Sequence, residues 1–192
     1  TYAQSYLGIR SGVHLSAIDF DPNIPAESKW FPNFGISFIH SNLPYRGIQI
    51  ELNHTQKGFT AKYANGYSAS RTYNMIEIPI LSRFYIRNQG TQIVINIGPD
   101  IFYHYDDSGN EQFPRKFFGE RYFVSNYKHD YSIHDLEFGL LAGVGLFRQF
   151  EKSSIQAEFR TYYQMTTFVK NDVFRDSRSF LYILSVAYFI NM

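Results

Sequence analysis

The feature that most constrains this chain is a strict alternation between uncharged apolar residues and a set rich in glycine and charge. Leu136, Phe138, Leu140, Ala142, Val144 and Leu146 alternate with Glu137, Gly139, Leu141, Gly143, Gly145 and Phe147. Successive side chains of a strand point to opposite faces, so one face of this segment carries no charge. Two broad folds satisfy such a pattern: the apolar face is a soluble core, or it is the lipid-facing skin of a barrel.

The pattern recurs in eight segments: Tyr6–Ser16, Asn33–His40, Arg46–Lys57, Tyr73–Arg87, Gln92–Tyr103, Asp135–Arg148, Ser154–Tyr163 and Phe180–Ile190. In the last one Tyr182, Leu184, Val186 and Tyr188 form the apolar face, although Leu181 and Ile183 leave its phase ambiguous. Most segments reach ten residues, where ordinary strands have about five or six and tilted membrane strands about nine to eleven. Pro79 and Pro99 fall inside strands and demand a bulge or a missing ladder bond. The connections alternate long and short: Ser41–Tyr45, Asn88–Thr91 and Gln149–Ser153 are short, the other four long. An up-and-down meander with all tight turns at one rim has this order. The expected fold is therefore one domain over 1–192: an eight-stranded antiparallel up-and-down transmembrane β-barrel with three short periplasmic turns and four long extracellular loops.

The opposite face decides which way the apolar face points. It holds Gly8, Gly12, Gly35, Gly47, Gly98, Gly139, Gly143 and Gly145, and small residues suit the tight lumen of eight strands better than a solvated face. Its charges are Arg10, Arg83 and Arg160 with Glu51, Glu77, Asp100, Glu137 and Glu158, and its one lysine is Lys57 at a strand end. Arginine suits enclosed bidentate carboxylate pairs. These eight residues are read as a lumen network of ion pairs, with Lys57, loop residues or a protonated carboxyl balancing the excess of acids. Two aromatic girdles are expected at the interfaces: Tyr45, Phe84, Tyr85, Phe147, Phe150 and Phe189 near the short turns, and Phe59, Tyr73, Tyr103, Tyr105, Tyr162, Tyr163 and Phe180 near the long loops.

Composition agrees. Charged residues are 18%, below the roughly 25% of soluble domains. A net charge of +1 gives no electrostatic reason to bind nucleic acid. No run approaches the roughly 18 apolar residues of a membrane helix, a test that barrels escape. With no cysteine, disulfide and thiolate chemistry are excluded. An exported protein of this kind would carry a signal peptide that is absent from this chain.

An ordered set of short motifs adds to this reading. It runs Gly8-Ile9-Arg10-Ser11-Gly12, Gln49-Ile50-Glu51-Leu52, Gln56-Lys57-Gly58, Ile76-Glu77-Ile78-Pro79-Ile80-Leu81, Ile97-Gly98-Pro99 and Phe138-Gly139-Leu140-Leu141-Ala142-Gly143-Val144-Gly145. In these the chain resembles the PorT-like small outer-membrane barrels of Bacteroidetes, within the wider OmpA/OmpX-type class. The resemblance implies a Gram-negative outer-membrane location, and members include secretion-associated proteins. The chain departs from outer-membrane barrels that end on an aromatic, because Tyr188 and Phe189 are followed by Ile190, Asn191 and Met192.

Catalytic chemistry finds little support. The Glu and Arg set could do acid–base work, but no nucleophile or metal cluster accompanies it. His104, Asp106, Asp107, His129, Asp130, His134 and Asp135 match no zinc or calcium spacing. His104, His134 and Asp135 are the first residues to test for a rim-located enzyme. Asn53-His54-Thr55 has a glycosylation sequon's form but lies in a strand. Phe113, Arg115, Phe117, Phe118, Arg121 and Tyr122 form a candidate loop interaction surface, aromatic and Arg residues being common anchors. The expected protein is non-enzymatic and monomeric, with a plugged lumen, no cofactor, no metal, and outer-membrane lipid and a loop-bound protein as partners. A soluble lipocalin-like carrier of small apolar ligands is the alternative, and a membrane enzyme at the outer rim the third.

Overall fold

The computed structural model describes residues 4–19, 26–62, 68–87, 90–111, 136–166 and 178–192. Among them are nine strands and no helix: β1 (Gln4–Asp19), β2 (Ala26–Glu27), β3 (Lys29–Leu43), β4 (Arg46–Lys62), β5 (Ser68–Arg87), β6 (Thr91–Glu111), β7 (Leu136–Gln149), β8 (Ser153–Gln164) and β9 (Arg178–Asn191). All pairings are antiparallel; the short β2 aside, each strand pairs with the next in the chain, and β1 with β9 closes the circuit. The result is a closed eight-stranded barrel. The two-residue β2 lies on β4 above the start of β3. Over the closed circuit each stave is paired on both sides, which removes the usual site of edge-to-edge aggregation there.

The eight expected segments are the eight staves, and most are longer than the alternation indicates. β3 starts at Lys29 rather than Asn33. β5 and β6 run on as a paired hairpin as far as Ala69↔Glu111, whereas β6 and β7 stop pairing at Tyr103↔Leu136. The residues added to the β5–β6 hairpin are mostly polar at successive positions, so no alternation marks them, and the β3 extension Lys29–Pro32 has apolar residues at successive positions. Both prolines are absorbed by interrupted pairing, without a bulge. β4 and β5 pair at Ile50↔Ile80 and again at Asn53↔Glu77 in one register, and β5 and β6 at Pro79↔Asp100 and Ser82↔Ile97. The missing N–H groups account for the gaps.

The short turns are tight. Leu43↔Arg46 closes the first around Pro44 and Tyr45. Gly90 takes φ 84° in the second, a conformation costly for other residues. In the third, Phe150 N–H donates to the Ser153 carbonyl at 2.8 Å, and Asn191 Nδ2 donates to the Phe150 carbonyl at 3.1 Å.

The apolar face points outward. Ile9 is 66% exposed, Leu184 59% and Val144 50%, and the same holds for Leu7, Ile36, Ile50, Ile95, Leu140 and Phe159. β9 resolves its ambiguous phase the same way: Tyr182, Leu184, Val186 and Tyr188 are exposed, while Leu181 and Ile183 are buried.

The girdle assignment needs correction. Phe147, Phe189, Tyr73 and Tyr162 are buried in the lumen, and Tyr85 packs inward on Phe147. Strand phase is the reason. Phe147 stands two residues from Gly145, Tyr162 two from Arg160, and Tyr85 two from Arg83, so each shares the inward face. Tyr45, Phe84, Phe150, Tyr103, Tyr105 and Phe180 do point outward.

Candidate functional site: the filled lumen

Three layers fill the barrel. At the short-turn end Tyr6, Ile39, Val94, Phe147, Ala187 and Phe189 form a buried apolar cluster, with Tyr85 packed on it. Tyr6 meets Phe147 edge to face at 5.6 Å. Towards the long connections Tyr73, Met75, Leu81, Phe102, Leu141, Tyr162, Leu181 and Ile183 form a second cluster. The charged residues lie between and among these rings.

The eight charged residues expected in the lumen are all buried, and they divide into groups. Glu51 is the hub of the first. Arg160 grips it with two parallel hydrogen bonds, Nη1 to Oε2 at 2.8 Å and Nη2 to Oε1 at 2.7 Å. Arg10 Nη1 donates to the same Oε2 at 2.6 Å, and its Nη2 donates to the Ser185 hydroxyl at 2.8 Å. Arg160 also pairs with Glu158 at 2.7 Å. Asn96 and Gln156 donate to Glu158, each at 2.6 Å. Gln49 and Asn53 donate to Glu51 from its own strand. Asn53 is therefore an internal donor, which disposes of the sequon.

Arg83 joins this group through an amide instead of a carboxylate. Its Nη1 donates to Gln49 Oε1 at 2.6 Å, and its guanidinium lies 4.9 Å from the ring centres of both Tyr85 and Phe147. A planar cation over aromatic faces gains electrostatic attraction without a counter-charge.

Glu137 belongs to a separate group nearer the long connections. Lys57 Nζ donates to it at 2.8 Å and His104 Nε2 at 2.6 Å. The Lys57 ammonium lies 3.6 Å from the centre of the Phe102 ring. Glu77 and Asp100 adjoin each other, with Asn53 Nδ2 donating to Glu77 at 3.4 Å. His14 lies on the same inward face and donates from Nε2 to the Gln56 carbonyl at 2.6 Å.

Glycine makes the space. A Cβ on Gly143 would stand 2.7 Å from Arg160 Cγ and 2.8 Å from Glu158 Oε1. At Gly139 it would collide with the Tyr162 ring. Arg160 and Tyr162 thus each lie against a residue with no side chain on the facing strand.

Sequence reasoning named the acids and arginines and set Gln49, Asn96 and Gln156 on their face without making them partners; it missed the aromatic seals and the role of His104 as a lumen donor. Residue phase could have found most of them, because all lie on the inward face. Phe113, Arg115, Phe117, Phe118, Arg121, Tyr122, His134 and Asp135 lie outside the described residues. Among the described residues no cluster of three or more His, Cys, Asp or Glu could hold a metal.

No family model and no curated protein matches the chain. Solved structures do. The outer-membrane protein OprG of Pseudomonas aeruginosa is similar with TM-score 0.60 at 11% identity, over 98% of this chain and 96% of that one. Neisserial surface protein A is similar with TM-score 0.53 at 11% identity, over 97% and 98%. The chain shares the fold of small outer-membrane barrels. At such identity the likeness is one of architecture.

Proposed function

We propose that this chain is an integral outer-membrane β-barrel of a Gram-negative cell, non-enzymatic, with a closed lumen and a partner-contacting side at the long connections. The observation that carries the membrane reading is the skin. Exposed apolar side chains from all eight staves form a continuous band, far beyond the few hundred Å² that a soluble monomer tolerates. In water such a band drives aggregation; in lipid it is the stable surface. The lumen argues against a carrier of apolar ligands, because ion pairs and packed rings occupy the place of a binding cavity.

The same filling speaks against a wide pore. Eight strands leave an interior that side chains just fill, and here aromatic layers close both ends of the charged centre. The function then falls to the rims. The tall β5–β6 hairpin and the loop residues Phe113, Arg115, Phe117, Phe118, Arg121 and Tyr122 are the proposed contact region for a protein partner. Within this reading the role is structural, adhesive or secretion-associated, the last being a role the PorT-like resemblance includes among others.

Refolding tests the membrane reading. The chain should fold only with detergent or lipid, float with vesicles, and migrate differently in gels before and after boiling. A stable monomer in detergent-free buffer overturns it. Steady open channels in a planar bilayer would overturn the closed lumen. Co-purification from native membranes, compared with a chain in which Phe117, Phe118 and Tyr122 are changed to Ser, tests the partner surface: loss of a specific partner is expected, and an unchanged set of proteins refutes the assignment.

A further inference from the structure

The charge at the short-turn rim is almost all of one sign. Over 41–48, 84–93 and 146–155 the charged residues are Arg46, Arg87, Arg148 and Lys152 against Glu151 alone, in a chain whose net charge is +1. Arg46 and Arg148 are exposed, and among the described residues neither has a carboxylate partner. Both stand on the outer skin. Arg46 is in strand phase with the outward Ile48 and Ile50 and pairs across to Phe84, itself outward. Arg148 is in phase with the outward Val144 and Leu146 and pairs across to Ile155. Its guanidinium lies 5.6 Å from the centre of the exposed Phe150 ring. Arg87 falls on the other phase, with Tyr85, and Lys152 stands beside Glu151 in the third turn. Hydrogen bonds fix the turns themselves: Tyr85 N–H donates to the Tyr45 carbonyl at 2.9 Å, and Asn191 N–H to the Lys152 carbonyl at 3.1 Å.

We propose that Arg46 and Arg148 bind the phosphate groups of anionic glycerophospholipids at this rim. The proposal rests on the membrane reading and names the class of lipid that the barrel selects. Outward aromatic rings such as Tyr45, Phe84 and Phe150 prefer the headgroup level, which sets the neighbouring arginines at the height of the lipid phosphates. A guanidinium offers a planar fork of donors that matches a phosphate, while its stem lies along the apolar skin. A zwitterionic lipid cancels its phosphate with its own ammonium, so a headgroup of net negative charge is preferred, by about fivefold for each cation near the surface. Strand phase decides against a soluble acidic partner. Arg46 and Arg148 face lipid sideways, whereas such a partner would dock on the turn tips, where Lys152 and Glu151 carry opposite signs.

The test uses the whole chain refolded in micelles and given equal amounts of phosphatidylglycerol and phosphatidylcholine with matched acyl chains. Native mass spectrometry counts the lipids retained. Phosphatidylglycerol should be retained over phosphatidylcholine by about fivefold or more. The preference should shrink in about 1 M ammonium acetate, where the Debye length is about 3 Å. Arg46→Gln and Arg148→Gln should each lower the ratio, and the double variant should bring it close to one. Lys152→Gln, which removes a charge from the turn tip, should change it less. Every variant must keep the wild-type difference in gel mobility before and after boiling, which reports folding independently of lipid. A folded wild type that retains both lipids equally overturns the proposal. So does a folded double variant with the wild-type ratio, or a loss in Lys152→Gln equal to that in Arg46→Gln. Displacement of phosphatidylglycerol by a soluble hexaglutamate peptide would make the rim a docking face for an acidic protein and overturn the lipid assignment. Equal retention by a folded barrel leaves the membrane reading standing, whereas a chain that is a stable monomer without detergent ends both.

Discussion

Leu140 and Leu141 are the same residue, one peptide bond apart, in two different solvents. Leu140 is 44% exposed on the outer skin, and Leu141 is fully buried among the lumen rings. In the membrane reading proposed above, the skin meets a liquid that adapts to any apolar shape. The lumen is a closed packing problem in which every group has fixed neighbours. Chemistry on the skin is therefore forgiving of shape and intolerant of charge. In the lumen charge is allowed only where a fixed partner meets it, a counter-charge for Arg160 or an amide and aromatic faces for Arg83, and shape is fixed.

The comparison breaks most sharply at the centre of the lumen. Glu51→Gln is nearly isosteric, yet it leaves Arg10 and Arg160 buried without their shared carboxylate. The expected loss is about 3–5 kcal/mol, the usual cost of removing one partner of a buried pair. Urea unfolding from lipid vesicles measures it. A loss below that of an exposed ion pair would show that Glu158 alone neutralises the arginines.

Next comes volume. Leu141→Ala removes volume from the buried cluster that includes Phe102 and Tyr162. About 2–5 kcal/mol is expected in the same assay. Leu140→Arg probes the other solvent. A guanidinium on the skin near mid-height should cost about 2–4 kcal/mol in vesicles. A neutral result at that position would mean that water, and not lipid, covers the face.

Glu137→Gln is the gentler counterpart of the Glu51 change. Lys57 loses its ion pair but keeps the Phe102 ring beneath it, and His104 keeps an acceptor oxygen. The expected loss is about 1–3 kcal/mol. If it equals the loss at Glu51, the aromatic contact contributes little to holding the lysine.

What was legible in the sequence follows the same division. The skin is a local pattern: Leu136 through Leu146 announce a strand with an uncharged face, and the glycines opposite announce a crowded lumen. The lumen partners are not local. Glu51 and Arg160 stand 109 residues apart and meet only through the register of the closed circuit. Alternation gives that register no numerical value. Phe147, Tyr162 and Phe189 were assigned to girdles because aromatic residues suit interfaces, although their phase with Gly145, Arg160 and Ala187 already placed them inside. Strand phase, in other words, carries more information here than residue type. The upper part of the β5–β6 hairpin was illegible for a different reason: its sequence is polar at successive positions, and the period of two has nothing to distinguish.

The finest test changes shape while holding volume and polarity. Leu140→Ile moves one methyl group on a surface covered by fluid chains, which rearrange around it. Strand residues also favour the branched side chain slightly. The expected change is under about 0.5 kcal/mol, as for a surface substitution that touches no fixed partner. Leu141→Ile moves the same methyl group against Phe102 and Tyr162, where the backbone fixes the direction of each branch. A cost of about 1 kcal/mol is expected there, within the range of volume-conserving core swaps. The pair is measured side by side in vesicles. Equal effects would mean that the lumen repacks as freely as lipid does, and the description of its centre as a fixed assembly would fail. Unequal effects of the expected sign would locate the rigidity of this barrel in its filling, with the skin serving only to hold that filling in the membrane.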